Sequence, residues 1–84
     1  MNKIWIEKDD YLRAELKFKN FEEAMEFMSK CVPLISAQNH HPEWSNVYNV
    51  VNILLTTHDS GNTITEKDRR LAQAIEELYW QIQL

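Results

Sequence analysis

Between Tyr11 and Asn20 the sequence YLRAELKFKN alternates without a break. Leu12, Ala14, Leu16 and Phe18 fall on one side of an extended chain, and Arg13, Glu15, Lys17 and Lys19 on the other. A period of two with one apolar side predicts a strand that buries one face and wets the other. The shorter KIWIE upstream predicts a partner strand, and KDDY between them supplies turn residues, so the two are expected to form a hairpin. The period then changes. Across NFEEAMEFMSKCVPLISAQN, Ala24, Met28, Cys31, Val32 and Ile35 recur at helical spacing and are expected to lie on the sheet. Asn20 with Glu23 three residues on has the spacing of a capping box. Pro33 lacks an N–H and crowds the preceding turn, at about 3 kcal/mol, so this helix is expected to bend or restart there.

WSNVYN and VVNILLTTH are β-branched and aromatic in character and predict two strands with a break near Tyr48 and Asn49. DSGNT is a loop holding the only glycine, Gly61. TITEKDRRLAQAIEELYWQIQL predicts a second helix, with Thr65 as its cap and Asp68 three residues later. Leu71, Ile75, Leu78 and Ile82 make its apolar stripe, and Glu66 and Asp68 sit near the positive end of its dipole. The order β-β-α-β-β-α implies an α+β sandwich, a four-stranded antiparallel sheet with two helices packed on one face. No linker, repeat or change of composition divides the chain, so residues 1–84 are expected to form a single domain. Trp5, Trp44, Tyr79 and Trp80 are many large aromatics for so small a core; packing inside it is the simpler account, a subunit contact the other.

Composition narrows the partners. At 84 residues the domain leaves much of its surface exposed, which favours oligomerisation. The net charge is −4 and the basic residues are interspersed with acids, so binding to nucleic acid is not expected. No stretch is long and apolar enough to span a membrane, and MNKIWIEKDD lacks the apolar core of a signal peptide. Cys31 is the only cysteine, which rules out an intrachain disulfide and makes the cytoplasm the expected compartment. The residue itself reads as a small buried hydrophobe.

All three histidines, His40, His41 and His58, lie within NHHPEWSNVYNVVNILLTTHD. Three imidazoles could hold a catalytic zinc with an open position. Adjacent histidines on a regular strand point to opposite faces, though, and neither an H-x-x-x-H helix pair nor a cysteine pair accompanies them, so no metal site is expected. G-x-S-x-G is absent, and one glycine cannot build a phosphate-cradling loop. Acid–base chemistry remains. Imidazole titrates near about 6.5 and can give or take a proton around neutrality. His40 and His41 end the first helix, Pro42 pushes His41 toward an extended conformation, and His58 closes the last strand. The two segments can meet at one edge of the sheet, with Trp44 and Tyr48 as walls. On periodicity alone, a solvated or hydrogen-bonded histidine at a strand end is the simpler account.

HHPEWSNVY, then VNILLTTHDSG, then TEKDRRLA, resembles the pterin-4a-carbinolamine dehydratase family. His-His-Pro, an aromatic after a fixed gap, a later His and a downstream Asp map onto His40, His41, Pro42, Tyr48, His58 and Asp68. The likeness is strongest from Asn39 to Ala72 and extends more weakly through LKFKNFEEAMEFM. The resemblance implies two β-hairpins with helices on one side, though many members begin with a further helix that this chain is expected to lack. It implies loss of water from a 4a-hydroxytetrahydropterin to give quinonoid dihydropterin, recycling the pterin of aromatic amino acid hydroxylases. It implies His40 and His58 as an acid–base pair, in either order, with His41 orienting the substrate. Ser36, Asn39, Trp44, Thr57 and Asp68 are the implied substrate contacts. The pterin is substrate, so no cofactor is expected, and a homodimer or homotetramer is implied. Two departures stand out: the family usually places an ionisable residue where Ser36 stands, and DSGNTIT is one residue longer than usual. They favour, as an alternative, a catalytically weak pterin-binding or protein-interaction member of the same fold.

Overall fold

A computed structural model describes residues 4–83. Lys3, the first residue of KIWIE, and Leu84 therefore lie outside the described residues. Strands β1 (Ile6–Lys8), β2 (Tyr11–Lys17), β3 (Glu43–Val47) and β4 (Val50–Leu55) and helices α1 (Phe21–Gln38) and α2 (Glu66–Gln83) follow the expected order. The sheet is antiparallel throughout, in the order β1-β2-β4-β3.

The alternation of β2 sets the layers. Leu12, Ala14 and Leu16 stand opposite Leu55, Ile53 and Val51, and all six are buried on one face. On the other face, Glu15 and Lys17 are exposed and Arg13 is half-buried over the Tyr11 ring. The helices cover the apolar face. Ala24, Phe27, Cys31 and Ile35 of α1 and Leu71, Ala72 and Ile75 of α2 complete one core. Phe18, Phe27 and Tyr79 form an aromatic cluster within it, and the Trp5 indole donates to the Ala72 carbonyl at 3.1 Å. Trp5, Trp44 and Tyr79 all pack against the core, as the simpler account of them required. Burial pushes the Cys31 thiol up to about 12, so it behaves as an inert small hydrophobe.

One expectation for α1 is corrected. Phe27 is wholly buried, whereas Val32 is 51% exposed. The buried stripe steps 24, 27, 31, 35, and Val32 lies about 100° from Cys31, past its edge. Of the two outcomes expected at Pro33, a bend or a restart, the restart does not occur: the helix is continuous through it. Pro33 and Ser29, the residue whose carbonyl loses its intrahelical donor, both lie on the exposed side, so the bond is lost where the carbonyl still faces solvent. The β1–β2 turn uses Asp9 and Asp10, both with positive φ (55° and 64°), which matches the right-handed twist of the flanking strands.

Because β2 and β3 both pair antiparallel with β4, the start of β2, the end of β4 and the start of β3 share one end of the sheet. Helix α1 finishes there and α2 begins there. Among the described residues, no helix is long and apolar enough to cross a membrane.

Candidate active site

At that end of the sheet lies a recess of about 220 Å³. Asn39, His40 and His41 form one side, residues 56–59 another, and Lys67 of α2 reaches it from a third. Asn39 explains the first. It adopts the left-handed conformation (φ 50°, ψ 41°) and its N–H donates to the Ser36 carbonyl, ending α1. Asparagine tolerates that conformation better than most residues, and the turn it makes sends the chain back toward α2. His40 follows and reaches Asp68, its Nε2 2.6 Å from Oδ1.

Asp68 is fully buried. It occupies the third position of the α2 cap, where its Oδ2 accepts from the Thr65 N–H at 2.9 Å, the reciprocal half of a capping box. The same oxygen accepts from the Thr57 hydroxyl at 2.7 Å. Burial alone would raise this carboxyl. The bonds from His40, Thr57 and the Thr65 N–H outweigh it and hold Asp68 below its ordinary range, so it is a carboxylate. The positive end of the α2 dipole acts in the same direction. His40 is thus set between a buried anion and the recess, its side chain only 12% exposed.

His58 is built differently. Three residues past β4, it opens a 3₁₀ turn over His58–Ser60, closed by Gly61 at positive φ (75°). Its side chain is 63% exposed. Nδ1 lies 2.7 Å from the Asn62 amide oxygen, and Nε2 lies 3.7 Å from a carboxylate oxygen of Glu43, at the start of β3. His41 is exposed at the rim and makes no side-chain hydrogen bond with the described residues.

The recess brings together His40, His41, His58, Asn39 and Thr57. Asp68 stands behind His40, bonded to His40, Thr57 and the Thr65 N–H. Two other expected contacts lie elsewhere. Ser36 is exposed on the last turn of α1, outside the recess. Trp44 points to the core face of β3, opposite Ile53. Tyr48 does not wall the recess either; it is 64% exposed in the β3–β4 turn, at the far end of those strands. Sequence reasoning missed Lys67, Glu43 and Asn62. Lys67 could be inferred from its place beside Asp68, but nothing in the sequence joins Glu43 to His58. Among the described residues, no group of three or more His, Cys, Asp or Glu side chains is placed to hold a metal ion.

Fold and site together define a small α+β domain with a histidine–carboxylate pair and a second histidine at one sheet end. The family model described as pterin 4 alpha carbinolamine dehydratase matches residues 2–78. A protein of Prochlorococcus marinus (strain NATL2A), provisionally named a pterin-4-alpha-carbinolamine dehydratase, is 49% identical over 77 residues, covering 92% of this chain and 80% of that protein. One of Opitutus terrae with the same provisional name is 44% identical over 78 residues, covering 93% and 80%. The crystal structure of a transcriptional coactivator/pterin dehydratase from Brucella melitensis superposes with a TM-score of 0.83 at 35% identity, covering 90% of this chain and 82% of that one. The chain belongs to the pterin-4a-carbinolamine dehydratase family.

Proposed function

We propose that this protein is a hydro-lyase that removes water from a 4a-hydroxytetrahydropterin, giving quinonoid dihydropterin. The observation that carries the reading is the pairing of His40 with a buried carboxylate on one side of a recess whose other side holds His58. The reaction needs two proton transfers. Hydroxide is a poor leaving group, so the 4a-oxygen must gain a proton as its bond to C4a breaks. N5 must lose a proton as the C4a–N5 double bond forms. One imidazole supplies the first proton and a second accepts the other, and the chemistry so drawn calls on no cofactor. His41, free at the rim, is suited to orient the pterin.

Stopped-flow dehydration of synthetic 4a-hydroxytetrahydropterin tests this. Acceleration over buffer is expected, with His40→Ala and His58→Ala each slower by about 100-fold or more. Dehydration at the buffer rate would remove the reading. A second reading, a binding or interaction protein on the same fold, draws on Ser36 standing where the family usually carries an ionisable group, and on the coactivator title of the Brucella neighbour. Pterin binding without turnover would select it. We further propose a cytoplasmic homodimer or homotetramer, supported by the small size of the domain and the single cysteine. Light scattering decides the oligomer.

A further inference from the structure

The Thr57 hydroxyl does not need to reach substrate to matter. Its Oγ1 lies 2.7 Å from Asp68 Oδ2 and 2.6 Å from Thr65 Oγ1. A hydroxyl has one proton and an ionised carboxylate has none. The Thr57 proton must therefore point at Asp68, and the Thr65 proton at Thr57. The chain of donors runs one way, Thr65 to Thr57 to Asp68. Thr57 is itself fixed: it is 4% exposed, its N–H donates to the Thr63 carbonyl at 2.9 Å, and its carbonyl accepts from Ser60 and Asn62.

The other carboxylate oxygen faces His40 Nε2 at 2.6 Å. Two lone pairs cannot meet at that separation, so Nε2 carries hydrogen whether the ring is neutral or protonated. The proton that His40 exchanges must then sit on Nδ1. Nδ1 makes no hydrogen bond with the described residues and is not among their buried unpartnered atoms, while the ring lines the recess. A neutral ring of this tautomer presents a lone pair there and acts as a base.

We propose that Thr57 is a positioning residue which, through Asp68, locks His40 as the Nε2–H tautomer, making Nδ1 the atom that takes the N5 proton. This rests on the dehydratase reading of the site. The N5–H bond breaks toward His40 Nδ1, and the N5 pair forms the C4a–N5 double bond. The C4a–O bond breaks, and the departing oxygen takes its proton from His58, leaving as water. Bulk water then returns both rings to their starting states. His58 suits the donor's part. The Asn62 amide oxygen accepts from Nδ1 of His58, which leaves Nε2, 3.7 Å from the Glu43 carboxylate, as the nitrogen that gives the proton.

Imidazole ¹⁵N spectra of the ¹⁵N-labelled free protein read the tautomer without any turnover. Neutral His40 is expected to be Nε2–H alone. Without the Thr57 hydroxyl on Oδ2 the Asp68 carboxylate is no longer held with Oδ1 on His40, so in Thr57→Val the spectra are expected to show a tautomer mixture, with kcat down by about tenfold to 100-fold and KM little changed. Thr57→Ser, which keeps the hydroxyl, is expected to restore both. An Nδ1–H tautomer in the wild type overturns the proposal even if Thr57→Val fails to fold. So does a Thr57→Val protein with wild-type kcat and tautomer, or a Thr57→Ser protein no better than Thr57→Val. Absence of wild-type turnover falls on the dehydratase reading instead, and the spectra still decide whether Thr57 sets the tautomer.

Discussion

Removing the Asp68 carboxylate should destabilise the protein by an amount set by what it leaves behind. The side chain accepts from three donors, two of them, on Thr57 and His40, largely shielded from water. A buried ion pair is in itself weak evidence for stability, but orphaning its partners costs about 3–5 kcal/mol. Asp68→Ala orphans all three and is expected to lose that much. Asp68→Asn keeps the shape and one acceptor oxygen, which can still serve Thr57 and Thr65; an amide N–H then faces His40, so the charge-assisted bond from Nε2 is lost. It is expected to cost about 1–2 kcal/mol, or about 5–15 °C in Tm for a domain of this size. At roughly 0.05–0.15 kcal/mol per residue the whole fold is worth only about 4–13 kcal/mol, so Asp68→Ala takes a large share of it. Urea unfolding followed by tryptophan fluorescence measures both. The pH dependence fixes the cause. The folded carboxyl is held below its ordinary 3.8, so its contribution is complete above the unfolded value and disappears as pH falls through the folded one. The gap between wild type and Asp68→Asn should therefore be widest at neutral pH and close in acid. An Asn variant within about 0.5 kcal/mol of wild type, the usual range for an inconsequential substitution, or a gap that widens toward acid, refutes the assignment.

Three further outcomes test the fold. Phe27→Ala should cost about 3–5 kcal/mol in urea unfolding, whereas Val32→Lys should stay within about 0.5 kcal/mol, since only the first is buried. Pro33→Ala should raise stability by about 2 kcal/mol, the helical penalty of proline less the stiffness it gives the unfolded chain, and a lower Tm would show that the helix depends on proline there. Asp10→Gly should gain about 1 kcal/mol by relieving a left-handed residue in the β1–β2 turn, with thermal unfolding as the readout.

The sequence by itself determined the layers. Strict alternation from Leu12 to Phe18 and helical recurrence from Ala24 to Ile35 are local signals, because a strand or helix must turn its apolar residues to one side to bury them. It also marked the three histidines and, through the Thr65–Asp68 spacing, the cap that begins α2. Its errors were ones of angle and environment. Val32 and Phe27 exchanged places because adjacent helical positions differ by about 100°, which a loose periodicity does not resolve. Pro33 was tolerated because its lost bond faces outward, a property of the packed helix rather than of the residue.

The site was decided by tertiary structure. His40 and Asp68 are 28 residues apart, and only the left-handed turn at Asn39 and the convergence of α1 and α2 at one sheet end bring them together. The same convergence spends the Thr57 hydroxyl on Asp68, while Ser36, one helical turn earlier, is left in solvent. Residue type determined that protons could be moved here. Which nitrogen moves them depends on which groups a side chain meets after folding, and no local pattern encodes that.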